Sequence, residues 1–125
     1  MPRTLSPEEY QAIGKSCYKL KQYEKAIEAF TTSIDASATP SAALYDYRAA
    51  CHEKLADYNS AIKDGRLAIR TQKQDVRGYL RTANALLKMD KSETALSIYK
   101  YGMKNVPADN KDFRVRRPTK TRQRR

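Results

Sequence analysis

At 125 residues the chain is one domain in length, and 25 Lys and Arg against 14 Asp and Glu give it a net charge of +11. No apolar run approaches a membrane span, and Met1-Pro2-Arg3-Thr4 lacks the apolar stretch of a secretory leader, so a nuclear or cytoplasmic protein is expected. One histidine, His52, and two cysteines, Cys17 and Cys51, form no Cys/His cluster; no metal or cofactor is expected, and the thiols read as reduced core groups.

The first helix opens at Ser6-Pro7-Glu8-Glu9. Ser6 is the expected cap, Pro7 suits the first helical position, and Glu9 completes a capping box. Tyr10, Ile13, Gly14, Cys17 and Leu20 then recur at helical spacing, and Lys21-Gln22 is a turn. A second helix carries Ala26, Ile27, Phe30 and Ile34 on one face and breaks at Ala36-Ser37-Ala38-Thr39. Thr39-Pro40 repeats the cap-then-proline device and is expected to start the third helix, with Leu44, Tyr45, Arg48, Ala49, Cys51 and Leu55.

Ala56-Asp57 turns the chain into a fourth helix presenting Tyr58, Ala61, Ile62, Gly65, Ala68 and Ile69. Gly65 stands where the first unit has Phe30, so a closer helix approach is expected there. Asp75 caps a fifth helix bearing Val76, Tyr79, Leu80, Ala83, Leu86, Leu87 and Met89, and Asp90-Lys91-Ser92 is the next turn. The sixth helix holds Ala95, Leu96, Ile98, Tyr99, Tyr101, Gly102 and Met103, more apolar groups than one buried stripe needs, and closes at Val106-Pro107. Either residues 108–118 fold over that apolar face, or a partner or second copy does, or a following helix is missing.

Ala108 to Arg125 has little to bury and reads as disordered. Its basic residues Arg114, Arg116, Arg117, Lys120, Arg122, Arg124 and Arg125 suit non-specific nucleic-acid contact or a nuclear-import signal, and leave residues 1–113 with 18 basic against 14 acidic side chains. No aromatic interleaving suggests stacking on single strands.

The six segments form three copies of one phrase. Tyr10, Tyr45 and Tyr79 are 35 and 34 residues apart, as are Ala26, Ala61 and Ala95. A period near 34 is the mark of a helix-turn-helix solenoid. The residues Tyr10, Ile13, Gly14, Leu20, Tyr23, Ala26, Ile27, Phe30 and Ile34, with their counterparts and Pro107, resemble the tetratricopeptide repeat. The resemblance implies an all-α solenoid of three antiparallel helix pairs over 6–107, with repeats about 7–40, 42–75 and 76–109, followed by the basic tail at 108–125. It places Gly14, Ala49 and Ala83 where paired helices cross.

It also implies a concave groove lined by the first helix of each pair. Here that face offers Lys15 and Tyr18, then Tyr47, then Arg77, Arg81, Asn84 and Lys88, with Glu8, Gln11, Lys19, Asp46, Ala50, Lys54 and Leu80 beside them. A protein partner with an acidic or amphipathic peptide suits these groups: the cations would meet its acids, and Tyr18 and Tyr47 its apolar side chains. The carboxylate clamp of Hsp70/Hsp90 co-chaperones is one use of such grooves. Arg77 and Arg81 fall on its two basic places in the third repeat, but Gln11 replaces a lysine, and Lys15 and Tyr47 replace asparagines.

Gly78-Tyr79-Leu80-Arg81 through Tyr101-Gly102-Met103 is also similar to the amino-terminal repeats of fungal F-box/leucine-rich-repeat substrate receptors of SCF ubiquitin ligases. That resemblance implies a nuclear tether to replication or chromatin proteins, although no F-box sequence follows. Three functions stay open: a scaffold binding protein in the groove, a nucleic-acid-associated adaptor using the tail, and a co-chaperone. Catalysis has little support, since Asp and Glu are scattered over exposed positions, His52 has no evident nucleophile partner and no Gly-rich phosphate loop exists.

Overall fold

The computed structural model describes residues 4–107. Six helices follow one another: α1 (Pro7–Lys19), α2 (Tyr23–Ala36), α3 (Ala42–Lys54), α4 (Tyr58–Thr71), α5 (Val76–Lys88) and α6 (Ser92–Asn105). Each packs on its neighbours in sequence. In addition α3 touches α1 and α5, so the first helices of the three pairs form one layer.

The helix ends follow from local chemistry. Ser6 Oγ accepts from Glu9 N at 3.1 Å while Ser6 N donates to Glu9 Oε1 at 2.8 Å, closing the capping box. Asp57 and Asp75 cap α4 and α5. The expected start of the third helix is corrected by one residue pair. Ser41, not Thr39, caps α3, its Oγ accepting from Leu44 N at 3.2 Å. Thr39-Pro40 lies in the linker, because a proline holds the residue before it out of helical geometry.

Within each pair the turn has one construction. Gln22 N donates to Cys17 O at 2.9 Å and Lys21 N to Tyr18 O at 2.9 Å, and the same two bonds recur at Asp57/Ala56 and Lys91/Asp90. This is the Schellman ending, and its left-handed residue is Lys21, Ala56 or Asp90, with φ of 62°, 60° and 61°. No glycine marks these positions, so the sequence gives no conventional signal for them.

The core lies between the two helical layers. Ala26, Ala49, Ala61 and Ala83 are buried without exposure, and a Cβ at Gly14 would stand 2.6 Å from Phe30 Cε1, which fits the expected close crossings. The expected approach at Gly65 is real. A Cβ there would overlap Thr82 Oγ1 and lie 3.2 Å from Thr82 N. Arg48 occupies the same repeat position in α3 as Thr82 does in α5. Its Nε and Nη2 donate to Asp64 Oδ2 and Oδ1 at 2.8 and 2.7 Å, and its Nη1 donates to Thr31 Oγ1 of α2 at 3.1 Å.

Ile13, the counterpart in α1, departs from the core role expected of it and is 42% exposed. The reason is positional. Arg48 and Thr82 press on the second helix of the preceding repeat, and no described helix precedes α1. Leu20, another family position, is 68% exposed because it ends α1 as its C-cap. On α6, Leu96, Tyr101 and Met103 are exposed, in keeping with the surplus of apolar groups, whereas Tyr99 is buried.

Candidate functional site

Helices α1, α3 and α5 present one concave face, and its floor is aromatic. Tyr47 of α3 stacks on Phe30 with ring centroids 5.5 Å apart and planes inclined by 28°. Phe30 belongs to α2 but reaches this surface because Gly14 of α1 leaves room for its ring. Lys15 Nζ stands 4.9 Å from the Tyr47 ring centroid, within range of a cation–π contact. Tyr18 is held edge-on to Tyr23 at 5.4 Å. Together with Lys19, Asp46, Ala50 and Arg81 these groups line a concavity of about 480 Å³.

A second concavity of about 320 Å³ lies toward the carboxyl ends of α3 and α5. Glu53, Lys54, Tyr58, Asn84, Leu87 and Lys88 line it. The seven groove residues expected from sequence thus divide into three places. Lys15, Tyr18, Tyr47 and Arg81 share the first hollow, and Asn84 and Lys88 share the second. Arg77 lines neither; its side chain is 47% exposed, with Nε 3.8 Å from Asp75 Oδ1. The tail residues Arg114, Arg116, Arg117, Lys120, Arg122, Arg124 and Arg125 lie outside the described residues.

Arg81 differs most from its expected role as a free cation. Its Nε and Nη2 donate to Asp46 Oδ1 and Oδ2 at 2.9 and 3.3 Å, and its Nη1 donates to Glu53 Oε1 at 2.8 Å. Burial lowers its pKa, yet the hydrogen bonds and charges of Asp46 and Glu53 outweigh that, and the net shift is upward. The guanidinium forms a bridge between the two hollows, one cation against two carboxylates. The partners lie 35 and 28 residues upstream, one repeat back and two helical turns nearer. That spacing was the available signal for them.

His52 Nδ1 and Nε2 are 3.8 and 3.7 Å from Asp57 and Asp64. Among the described residues no group of three His, Cys, Asp or Glu is placed to hold a metal ion, and no helix is long and apolar enough to cross a membrane.

No protein-family model matches the chain. Heat shock protein STI1 of Saccharomyces cerevisiae is 33% identical over 108 residues, which are 86% of this chain and 18% of that protein. Mitochondrial import receptor subunit tomm-70 of Caenorhabditis elegans is 36% identical over 96 residues, 72% of this chain and 17% of that one. The chain therefore spans less than a fifth of the length of these curated relatives.

Among solved structures, the TPR domain of Arabidopsis OM64 superposes with a TM-score of 0.77 at 26% identity, covering 88% of this chain and 89% of that one. The TPR2B domain of yeast Sti1, in complex with an Hsp70 peptide, gives 0.74 at 28% identity, with 79% and 78% covered. The second TPR of Spaghetti (RPAP3), bound to the HSP90 peptide SRMEEVD, gives 0.72 at 25% identity, with 80% and 92% covered. The fold is the tetratricopeptide-repeat solenoid, six helices in three repeats. These relatives give no support to the F-box receptor resemblance, to a nuclear location or to a nucleic-acid partner.

Proposed function

We propose that the chain is a non-catalytic adaptor that holds a peptide or helical segment of a partner protein in its concave groove. The observation that carries this reading is the hollow over the Phe30–Tyr47 stack. It offers an apolar floor with Lys15 and Lys19 at its rim, and a side chain seated there would lose water on one face while an adjacent acid meets an ammonium. Affinity capture with the wild type beside Lys15→Ala/Lys19→Ala/Arg77→Ala tests it. These three side chains are outside the core, so the variant keeps the fold. Identical captured proteins in equal yield would end the groove reading.

A second reading, a co-chaperone receiving an Hsp70 or Hsp90 tail, is favoured by the likeness to the Sti1 and Spaghetti domains, which were solved with such peptides. Gln11, Lys15 and Tyr47 depart from the clamp pattern, so the affinity expected is lower than that of a complete clamp. Calorimetric titration with SRMEEVD tests this reading, and no detectable binding removes it.

A further inference from the structure

We infer that Asp46 and Glu53 withhold Arg81 from the ligand, so that carboxylates of a bound segment are received by Lys15 and Lys19 and the groove selects a segment with an apolar side chain beside a single acid. This deepens the groove reading and rests on it. Arg81 has five N–H donors in a rigid fork, and three of its nitrogens already donate to carboxylate oxygens at 2.8–3.3 Å. The triad carries two negative charges against one positive. An incoming carboxylate at the middle of the groove therefore meets a net negative group, and must displace a partner already fixed in place.

Lys15 and Lys19 face the same hollow from α1 with no carboxylate in salt-bridge range among the described residues. Both cations line the hollow from the first-repeat side, Lys15 with its ammonium over the Tyr47 ring of the Phe30–Tyr47 floor. An acid and an apolar side chain on one short segment fit that pairing. A run of acids would extend over the Asp46–Arg81–Glu53 bridge and be repelled there.

The test uses SRMEEVD as an acidic probe, titrated into five forms of the full chain, of which wild type and Lys15→Ala show whether binding depends on Lys15. Asp46→Asn with Glu53→Gln keeps amide oxygens on Arg81 while removing both charges, and frees the guanidinium to take an acid. Affinity for SRMEEVD is expected to rise about tenfold or more over wild type, the worth of a charge-assisted hydrogen bond. Adding Arg81→Gln to that pair should abolish the gain. Adding Arg81→Lys instead should keep only part of it, which separates fork recognition from a general rise in positive charge. Circular dichroism and thermal melts confirm folding in each.

No gain in the Asp46→Asn/Glu53→Gln form, or a full gain retained with Arg81→Lys, overturns the inference. If wild type binds SRMEEVD in a Lys15-dependent manner and the double variant gains nothing, this inference fails and the groove reading stands. If no form binds the probe and capture is unaffected by the Lys15/Lys19/Arg77 variant, both fail.

Discussion

The Arg48–Asp64 pair allows a quantitative test of how the two helices of the second repeat are joined. Two hydrogen bonds of 2.8 and 2.7 Å link the guanidinium to a carboxylate whose side chain is 3% exposed, while the Arg48 side chain is 18% exposed and also donates to Thr31. Removing either partner is therefore unequal in cost. Arg48→Met leaves a carboxylate with little access to water, and breaking a buried pair in this sense costs about 3–5 kcal/mol. Asp64→Asn keeps an acceptor for a guanidinium that still reaches Thr31 and solvent, and should cost about 1–3 kcal/mol. Arg48→Met with Asp64→Leu, which removes both charges, should return close to wild type.

Urea unfolding followed by far-ultraviolet circular dichroism measures all three. For a folded region of this size about 3 kcal/mol corresponds to a melting shift of roughly 12–24 °C. The reasoning is refuted if Arg48→Met costs less than about 1 kcal/mol, or if the double variant loses as much as the two singles together.

Gly65→Ala should destabilise by about 1–3 kcal/mol, since its Cβ would overlap Thr82 Oγ1 and crowd Thr82 N; a melting temperature at the wild-type value would contradict the close approach. Ala56→Gly should stabilise by roughly 0.5–1 kcal/mol in chemical denaturation, because Ala56 is exposed and sits at φ 60°. Cys51 is fully buried, and burial pushes its thiol up to about 11. Iodoacetamide at pH 8 should therefore label Cys17 first in the native protein, with Cys51 reacting only on unfolding, as read by mass spectrometry.

The six helices were legible because packing repeats. Tyr, small residue and Ala recur at one period, and a period survives errors at single positions. What escaped the sequence was set by neighbours rather than by periodicity. Ile13 has the character of a core residue, yet it is 42% exposed and no described helix covers it. The turns at Lys21, Ala56 and Asp90 adopt a glycine-like conformation with other side chains. In the groove, the residue types and the face were readable, and Lys15, Tyr18, Tyr47 and Arg81 do meet at one hollow. In sequence Arg81 has the character of a free cation, because pairing between helices one repeat apart depends on side-chain reach. A helical projection of α5 alone contains neither Asp46 nor Glu53.

The three repeats are joined by unlike contacts. Between the first and second a long guanidinium is wedged against Thr31, whereas between the second and third a glycine lets Thr82 close in directly. Opposite means thus set the helix spacing at successive junctions, a side chain that reaches across at one and the absence of a side chain at the other, so a three-copy period in sequence does not make the three units interchangeable in register.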